Sequence, residues 1–199
     1  MILIVLLLAR LHVIAQAALG WAPLGGADDT VETLVVIDGH VWASGLFNRI
    51  GGIATQGIAY WNGSVWDDAG VYDTDGRAFA YAKYGGVVAA GTFTYVNEVS
   101  ADRIAIFDPL ERTWAPLPGG GLSGTVRALA VDNGRMILYA AGSFDTAGTL
   151  SVNRVASYSD SAWHALGSGL NNGVSGTVFA LTFDPITDLL FLGGTFSTA

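Results

Sequence analysis

The sequence has no cysteine and few basic residues, and both absences exclude kinds of site. Without cysteine the chain can form neither a disulfide nor a thiolate metal site, and it has no cysteine nucleophile. The 9 basic residues stand against 17 acidic ones, which gives a net charge of -8 at pH 7. Because this charge repels phosphate groups and no basic patch alternates with aromatics, we expect no nucleic-acid binding.

Charged residues are also scarce, at 13% of the chain, and proline occurs only 5 times. Hydrophobic residues make up 51%, and the 27 glycines are roughly twice the average share. Glycine mixed with valine, threonine and aromatics is typical of short strands joined by tight turns. No sustained helical period follows residue 20, so the sequence predicts an all-β fold.

Residues 1–17 have the pattern of a secretory signal peptide. Met1 to Ala9 is an unbroken apolar run, too short to span a bilayer, and Ala15-Gln16-Ala17 forms a small-x-small cleavage pattern. No Lys or Arg precedes the run, and the alternative is a buried terminal strand or helix. We expect residues 18–199 to form the mature domain, secreted or held at the cell surface.

A repeat runs through the rest of the chain. Equivalent segments open with a tryptophan, spaced by 45, 48 and 49 residues, and each apolar run that follows ends in Gly-x-Phe. A third motif, Ile/Val-Ala-x-aromatic, keeps the same phase. We interpret the repeated aromatics as core and not as a ligand platform, since each aromatic buries roughly 150–250 Å². They are Trp21, Trp66, Trp114, Trp163, Phe47, Phe93, Phe144 and Phe196.

Each repeat contains strand-like segments separated by turn signals. In the third unit the predicted strands are Val126 to Val131, Met136 to Phe144, Asn153 to Tyr158 and Ala162 to Leu166. Asn133-Gly134 predicts a tight hairpin between the first two. Four strands per repeat are typical of a β-propeller blade. We therefore predict blades of four antiparallel strands, in units that open near residues 21, 66, 114 and 163.

The phase of the repeat at its two ends predicts an incomplete ring of about three and a half blades. Trp21 opens on a lone outer strand, the kind that completes the last blade of a propeller. The fourth unit stops after Phe196, two strands short, and would expose an unpaired edge with apolar side chains. We expect a fragment of a longer propeller.

The combined motifs resemble galactose-oxidase/kelch-like repeats of the fungal cortical polarity-marker (bud-site-selection) family and its bacterial and protist relatives. The segments that carry the resemblance include Val126-Arg-Ala-Leu129, Leu138 to Phe144, Trp163 to Gly169 and Leu192 to Phe196. The second unit departs from the pattern, with Asp67-Asp68 where the first and third units have Ala-Pro. The resemblance implies a secreted or membrane-anchored, often glycosylated ectodomain, anchored only if an anchor lies in sequence outside this chain.

The residues predict no catalytic, cofactor or metal site. Galactose-oxidase copper chemistry needs a cysteine, which is absent, and two histidines. Of the three histidines, His12 falls in the predicted signal peptide, while His40 and His164 are expected at the surface. No Gly-x-Ser-x-Gly elbow occurs, and Pro118-Gly-Gly-Gly121 lacks the lysine of a phosphate loop. We interpret this glycine run as a flexible connection between blades.

Two weaker motifs remain. Asp73-Thr-Asp75-Gly76 has the alternating oxygens of a calcium loop, but no downstream glutamate completes it, so Asp73 and Asp75 are weak metal candidates. Asn62-Gly63-Ser64 is a glycosylation sequon at Asn62, and equally an ordinary turn.

These observations favour a non-enzymatic binding or scaffold module that acts in cell-surface recognition, adhesion or as a polarity landmark. An unknown protein or carbohydrate ligand would bind at a rim of loops that differ between units. The alternatives are a structural repeat in a longer array, or a fragment of a secreted propeller enzyme, such as a carbohydrate-active hydrolase or lyase. The rim loops are Asn48 to Gln56, Thr94 to Asp102 and Asp145 to Asn153.

Overall fold

The computed structural model describes residues 12–17, 20–167 and 172–198, with the backbone alone for residues 12–17 and 20–22. These residues form strands and turns without a helix, which confirms the all-β prediction. The described ranges therefore offer no helix with the length and hydropathy needed to cross a bilayer. Residues 1–11 of the predicted signal peptide lie outside the described part. The chain divides into two compact structural units, residues 1–73 and 74–199, and from here on these are called the first and second unit, while the units of the sequence pattern are called repeats.

The first unit contains a leading hairpin and one four-stranded antiparallel sheet. The hairpin consists of β1 (His12–Ala17) and β2 (Gly20–Gly26). Six strands follow: β3 (Val31–Ile37), β4 (His40–Gly45), β5 (Arg49–Ile50), β6 (Ile53–Ala54), β7 (Ile58–Trp61) and β8 (Trp66–Asp67). The sheet has the order β3-β4-β7-β8, and β5 pairs with β6 in a small hairpin between the second and third strands.

The second unit repeats this pattern twice and then adds a two-stranded hairpin. Its first sheet and small hairpin use β9 (Ala78–Tyr84), β10 (Gly86–Gly91), β11 (Tyr95–Val96), β12 (Val99–Ser100), β13 (Ile104–Asp108) and β14 (Thr113–Pro116). The next six are β15 (Val126–Asp132), β16 (Ile137–Gly142), β17 (Thr146–Ala147), β18 (Leu150–Ser151), β19 (Val155–Ser159) and β20 (Ala162–His164). The last pair is β21 (Val178–Asp184) and β22 (Leu189–Gly194). The four-stranded antiparallel repeats are thus confirmed, including the sheet of the divergent second repeat.

A β-bulge recurs at the second residue of each first strand. Val126 pairs with Gly142 but Ala128 pairs with Ala141, so Arg127 is the extra residue. The same register shift occurs in β3, β9 and β21. A Cβ on Gly142 would overlap the carbonyl oxygen of Thr125, and the glycines at the equivalent positions meet the same obstacle. This close backbone approach is why every Gly-x-Phe motif begins with glycine.

The repeated aromatics lie in the core. Phe47, Phe93 and Phe144 are 0% exposed, and Trp66, Trp114 and Trp163 are also buried. In the second unit one apolar cluster joins the two four-stranded sheets and includes residues from both. Phe196 is half-buried and packs against a second cluster, formed by Ala141, Val155, Val174 and Val178, whereas the side chain of Trp21 lies outside the described residues.

Three details differ from the sequence prediction. The turn after β15 is not a tight Asn-Gly hairpin, because Asp132 accepts hydrogen bonds from the backbone N–H groups of Gly134 (2.8 Å) and Arg135 (3.1 Å). The left-handed residue of this turn is Met136, with a φ of 54°. The strand that contains Trp21 is not alone, since β2 pairs with β1. The stretch after Phe144, predicted as a turn, contains the small β17–β18 hairpin.

We predict that Gly142→Ala lowers the free energy of unfolding by about 3 kcal/mol, because the bulge backbone must move to admit a Cβ. Urea unfolding measures the change. Gly193→Ala is the matched control, since its Cβ would lie 3.7 Å from the nearest side chain, Ala180. We expect this control to change stability by less than about 0.5 kcal/mol. Equal losses in both variants would contradict the role of the close approach.

Candidate functional site

The bulge turns one side chain per first strand away from the regular pleat. In the second unit these side chains are Phe79 on β9, Arg127 on β15 and Phe179 on β21. β9 and β21 both pack against β15, so residues far apart in the sequence become neighbours. Bulges commonly lie beside binding sites because they redirect a side chain. We name these three residues the bulge cluster.

Cation–π contacts hold the bulge cluster together. The Cζ atom of Arg127 lies 5.6 Å from the ring centroid of Phe79 and 5.2 Å from that of Phe179. The Cζ atom of Arg77 also lies 5.6 Å from the Phe79 ring, which places a second positive charge at the edge of the cluster. Each such contact contributes about 0.5–1 kcal/mol at an exposed site. Arg127 is exposed and Phe179 is 49% exposed, so the cluster faces solvent.

The donors of Arg127 are not used within the described part of the chain. Its guanidinium makes no hydrogen bond or ion pair to any residue described there. Other arginines donate to oxygen atoms, as Arg49 does to the carbonyl of Gly52 (2.7 Å) and Arg154 to that of Phe144 (3.1 Å). A free guanidinium can supply five N–H donors to an incoming acceptor. In a chain of net charge -8, the cluster thus places a local positive charge at the surface.

A second repeated arrangement fixes the loops that the sequence predicts as a rim. A short polar side chain three residues before each first strand accepts hydrogen bonds from the loop that follows Gly-x-Phe. Asp28 accepts from the N–H groups of Asn48 (2.8 Å) and Arg49 (2.9 Å). The Ser123 hydroxyl accepts from those of Asp145 (3.1 Å) and Thr146 (3.0 Å). We call these acceptors loop clamps, and their positions are Asp28, Asp75, Ser123 and Ser175.

Asp75, a weak metal candidate in the sequence, serves as a loop clamp. Its carboxylate accepts from the N–H groups of Thr94 (2.6 Å) and Tyr95 (3.3 Å) and from the Thr94 hydroxyl. Burial acts to raise the pKa of Asp75, but these hydrogen bonds outweigh it and hold the pKa below its usual range. Among the described residues no group of three or more His, Asp or Glu side chains is placed to hold a metal ion.

Two of the buried tryptophans also donate hydrogen bonds to backbone carbonyls that precede their own sheets in the chain. The indole N–H of Trp163 donates to the carbonyl of Gly120 (2.8 Å), and that of Trp66 donates to the carbonyl of Leu24 (2.8 Å). Gly148 donates to the carbonyl of Gly121 at 2.7 Å. The glycine run, predicted to be flexible, therefore has two of its carbonyls, those of Gly120 and Gly121, hydrogen-bonded to the repeat that follows it. It lines an open cleft of about 420 Å³ together with Asp102, Arg103, Thr146 and Thr149.

The remaining sequence candidates occupy ordinary turns and edges. The side-chain oxygen of Asn62 accepts from the N–H groups of Ser64 and Val65, both at 3.0 Å, in an exposed turn. Glycosylation at Asn62 stays a prediction. His164 is exposed, but His40 is half-buried, with its ring edge-on to Tyr60 at 5.4 Å between centroids.

The bulge cluster was not predicted from the sequence, although one signal for it is present there. The position before it is apolar in every repeat, and the position after it is alanine in three, whereas the bulge position varies. The residues at the bulge position of the four successive repeats are Glu32, Phe79, Arg127 and Phe179.

We predict that Asp75→Ala lowers the free energy of unfolding by about 1 kcal/mol at pH 7, whereas Asp75→Ser loses less, because serine is the clamp in later repeats. The pH dependence separates the two clamps. A lowered carboxyl pKa gives stability that is present above the unfolded-state pKa and is lost as pH falls through the folded value. The difference in free energy of unfolding between wild type and Asp75→Ala should therefore shrink in acid. The difference between Asp75→Ser and Asp75→Ala should not change with pH. Urea unfolding from pH 7 to pH 2.5 measures both, and identical profiles would contradict the assignment.

We predict that Trp163→Phe destabilises the protein by about 1 kcal/mol, through loss of the indole hydrogen bond, and exposes residues 118–121 to protease. Limited proteolysis with mass spectrometry locates the cleavage. Trp66→Phe is the matched control, because it releases the carbonyl of Leu24 instead. If both variants gave the same new fragments, the local role of each indole would be wrong.

Comparison with known proteins gives no family assignment. No protein-family model matches this chain, and no curated protein matches its sequence. The site therefore has to be interpreted from its own residues and geometry.

Proposed function

We propose that this chain belongs to a β-propeller and acts as an extracellular, non-enzymatic binding or scaffold module. Three four-stranded antiparallel sheets with the same strand order support the propeller. The contacts of β9 and β21 with β15 support it as well, because the first strands of propeller blades line a central channel side by side.

The register of the leading hairpin adds support. Gln16 pairs with Trp21 in β1–β2, just as Phe107 pairs with Trp114 and Tyr158 pairs with Trp163. The hairpin thus has the pairing of the third and fourth strands of a repeat. Cleavage after Ala17 would remove β1, so the β1–β2 hairpin and a cleaved signal peptide exclude each other. Secretion of the chain followed by sequencing of its mature N-terminus distinguishes the two.

The bulge cluster is the observation that carries a binding role. Its side chains are exposed or half-exposed, and the central guanidinium has no protein acceptor among the described residues. The frame beneath is held by buried aromatics and bonded loops, so it can present these side chains without rearrangement. Variable side chains on a rigid frame are where recognition commonly occurs.

Structural roles for the acidic side chains favour binding over hydrolysis. A glycosidase needs two carboxyl groups that face each other across a cleft. Here Asp28 and Asp75 clamp loops, and Asp108, Asp132 and Asp184 each accept backbone N–H groups in their own turns.

The test is a binding screen of the purified chain against arrayed extracellular polysaccharides and cell-surface proteins. We expect wild type to bind at least one surface, and the double variant Arg127→Gln/Phe179→Ala to lose about tenfold or more in affinity. The control is Leu110→Ser/Arg135→Gln, which alters an arginine and a side chain that is 91% exposed, both outside the cluster. Wild type without any partner, or equal losses in both double variants, would count against this function.

A further inference from the structure

The turn after β15, the strand that contains Arg127, holds a second arginine, and the charge of that arginine is paired. Such a pairing is what the bulge cluster lacks. Arg135, just after β15, has a side chain that is 55% exposed. Its guanidinium is neutralised by Asp132 at 2.9 Å and by Asp188, whose Oδ2 lies 2.6 Å from Nη2. Arg127 has no such carboxylate within the described residues. The missing acceptor can come from a ligand.

The guanidinium of Arg127 is suited to an oxyanion such as a carboxylate. Its Cζ atom lies over the rings of Phe179 and Phe79, at 5.2 and 5.6 Å from their centroids. Two adjacent N–H groups match the two oxygens of a carboxylate in a bidentate pair. The flanking rings restrict the side chain before binding, which reduces the entropy lost on binding.

The surroundings favour a saccharide over other acidic ligands. The net charge of -8 repels a singly charged carboxylate less than it repels a dianionic phosphate group. Phe179 is 49% exposed and offers an apolar surface beside the guanidinium, on which the C–H face of a sugar ring can pack. An extended peptide would need a regular free edge on β15, and a bulge such as the one at Arg127 increases the local twist of the strand.

We propose that the bulge cluster binds the carboxylate of a uronic acid residue in an extracellular saccharide. Arg127 binds the carboxylate, and Phe179 packs against the ring of the same sugar. Arg77, over the other aromatic of the cluster, adds positive potential. This inference rests on the proposed binding function and names its ligand class.

Titration of the full chain with glucuronate, and with glucose as the neutral match, tests the proposal by ligand-observed NMR. We expect glucuronate to bind about tenfold more tightly than glucose, since the two differ chiefly in the carboxylate. Arg127→Gln should reduce glucuronate affinity to that of glucose, and Arg127→Lys should retain part of the difference. Phe179→Ala should weaken both sugars, and Arg135→Gln should leave both unchanged. Thermal unfolding of each variant checks that the fold is intact.

Each outcome bears on one of the two proposals. Equal binding of glucuronate and glucose, or full glucuronate affinity in Arg127→Gln, overturns the uronate site while leaving the binding module in place. Binding of an acidic peptide through Arg127, without glucuronate binding, overturns the ligand class. If the chain bound neither sugar and no partner in the surface screen, the proposed binding function would be contradicted as well.

Discussion

The close approach between the glycine that ends each second strand and the carbonyl that precedes each first strand constrains the whole repeat. In the third sheet the carbonyl of Thr125 accepts from the N–H of Ser143 at 2.9 Å, and only a glycine at position 142 leaves room for it. This contact requires the bulge, which sets Arg127 apart from the regular pairing. Phe144, two residues beyond the glycine, is then 0% exposed. One backbone contact fixes both the core aromatic and the redirected side chain.

The same contact places the loop clamps, because the clamp precedes the first strand by three residues and the clamped loop follows the aromatic. Asp75 and Ser123 solve this problem with different chemistry. A carboxylate makes stronger, charge-assisted hydrogen bonds, but its contribution depends on pH, whereas a hydroxyl does not titrate in the range of interest. Equivalent loops of successive repeats therefore differ in their sensitivity to acid, although their backbone geometry is shared.

The sequence predicted the features that a single residue enforces in every repeat. Gly142 is required by the close backbone approach, and Phe144 and Trp163 are buried in the core. The spacing of these residues was therefore enough to predict the four-stranded repeats. The small hairpins, such as β17–β18, have two residues per strand and carry no readable period. The turn after Asp132 was misjudged because its carboxylate, and not the Asn-Gly pair, organises the backbone. The bulge cluster depends on strand register and on packing between sheets, neither of which a linear motif encodes.

Comparison of the repeats within the chain separates the frame from its variable position. Around the bulge, the preceding residue is Val31, Ala78, Val126 or Val178, and each is buried. The bulge residue itself is acidic, aromatic, basic and aromatic in turn. Since the frame accepts such different side chains there, packing does not dictate the choice of Arg127 between two phenylalanines. A cation held against two rings, without a described protein acceptor, supports the proposal that this position is used for binding.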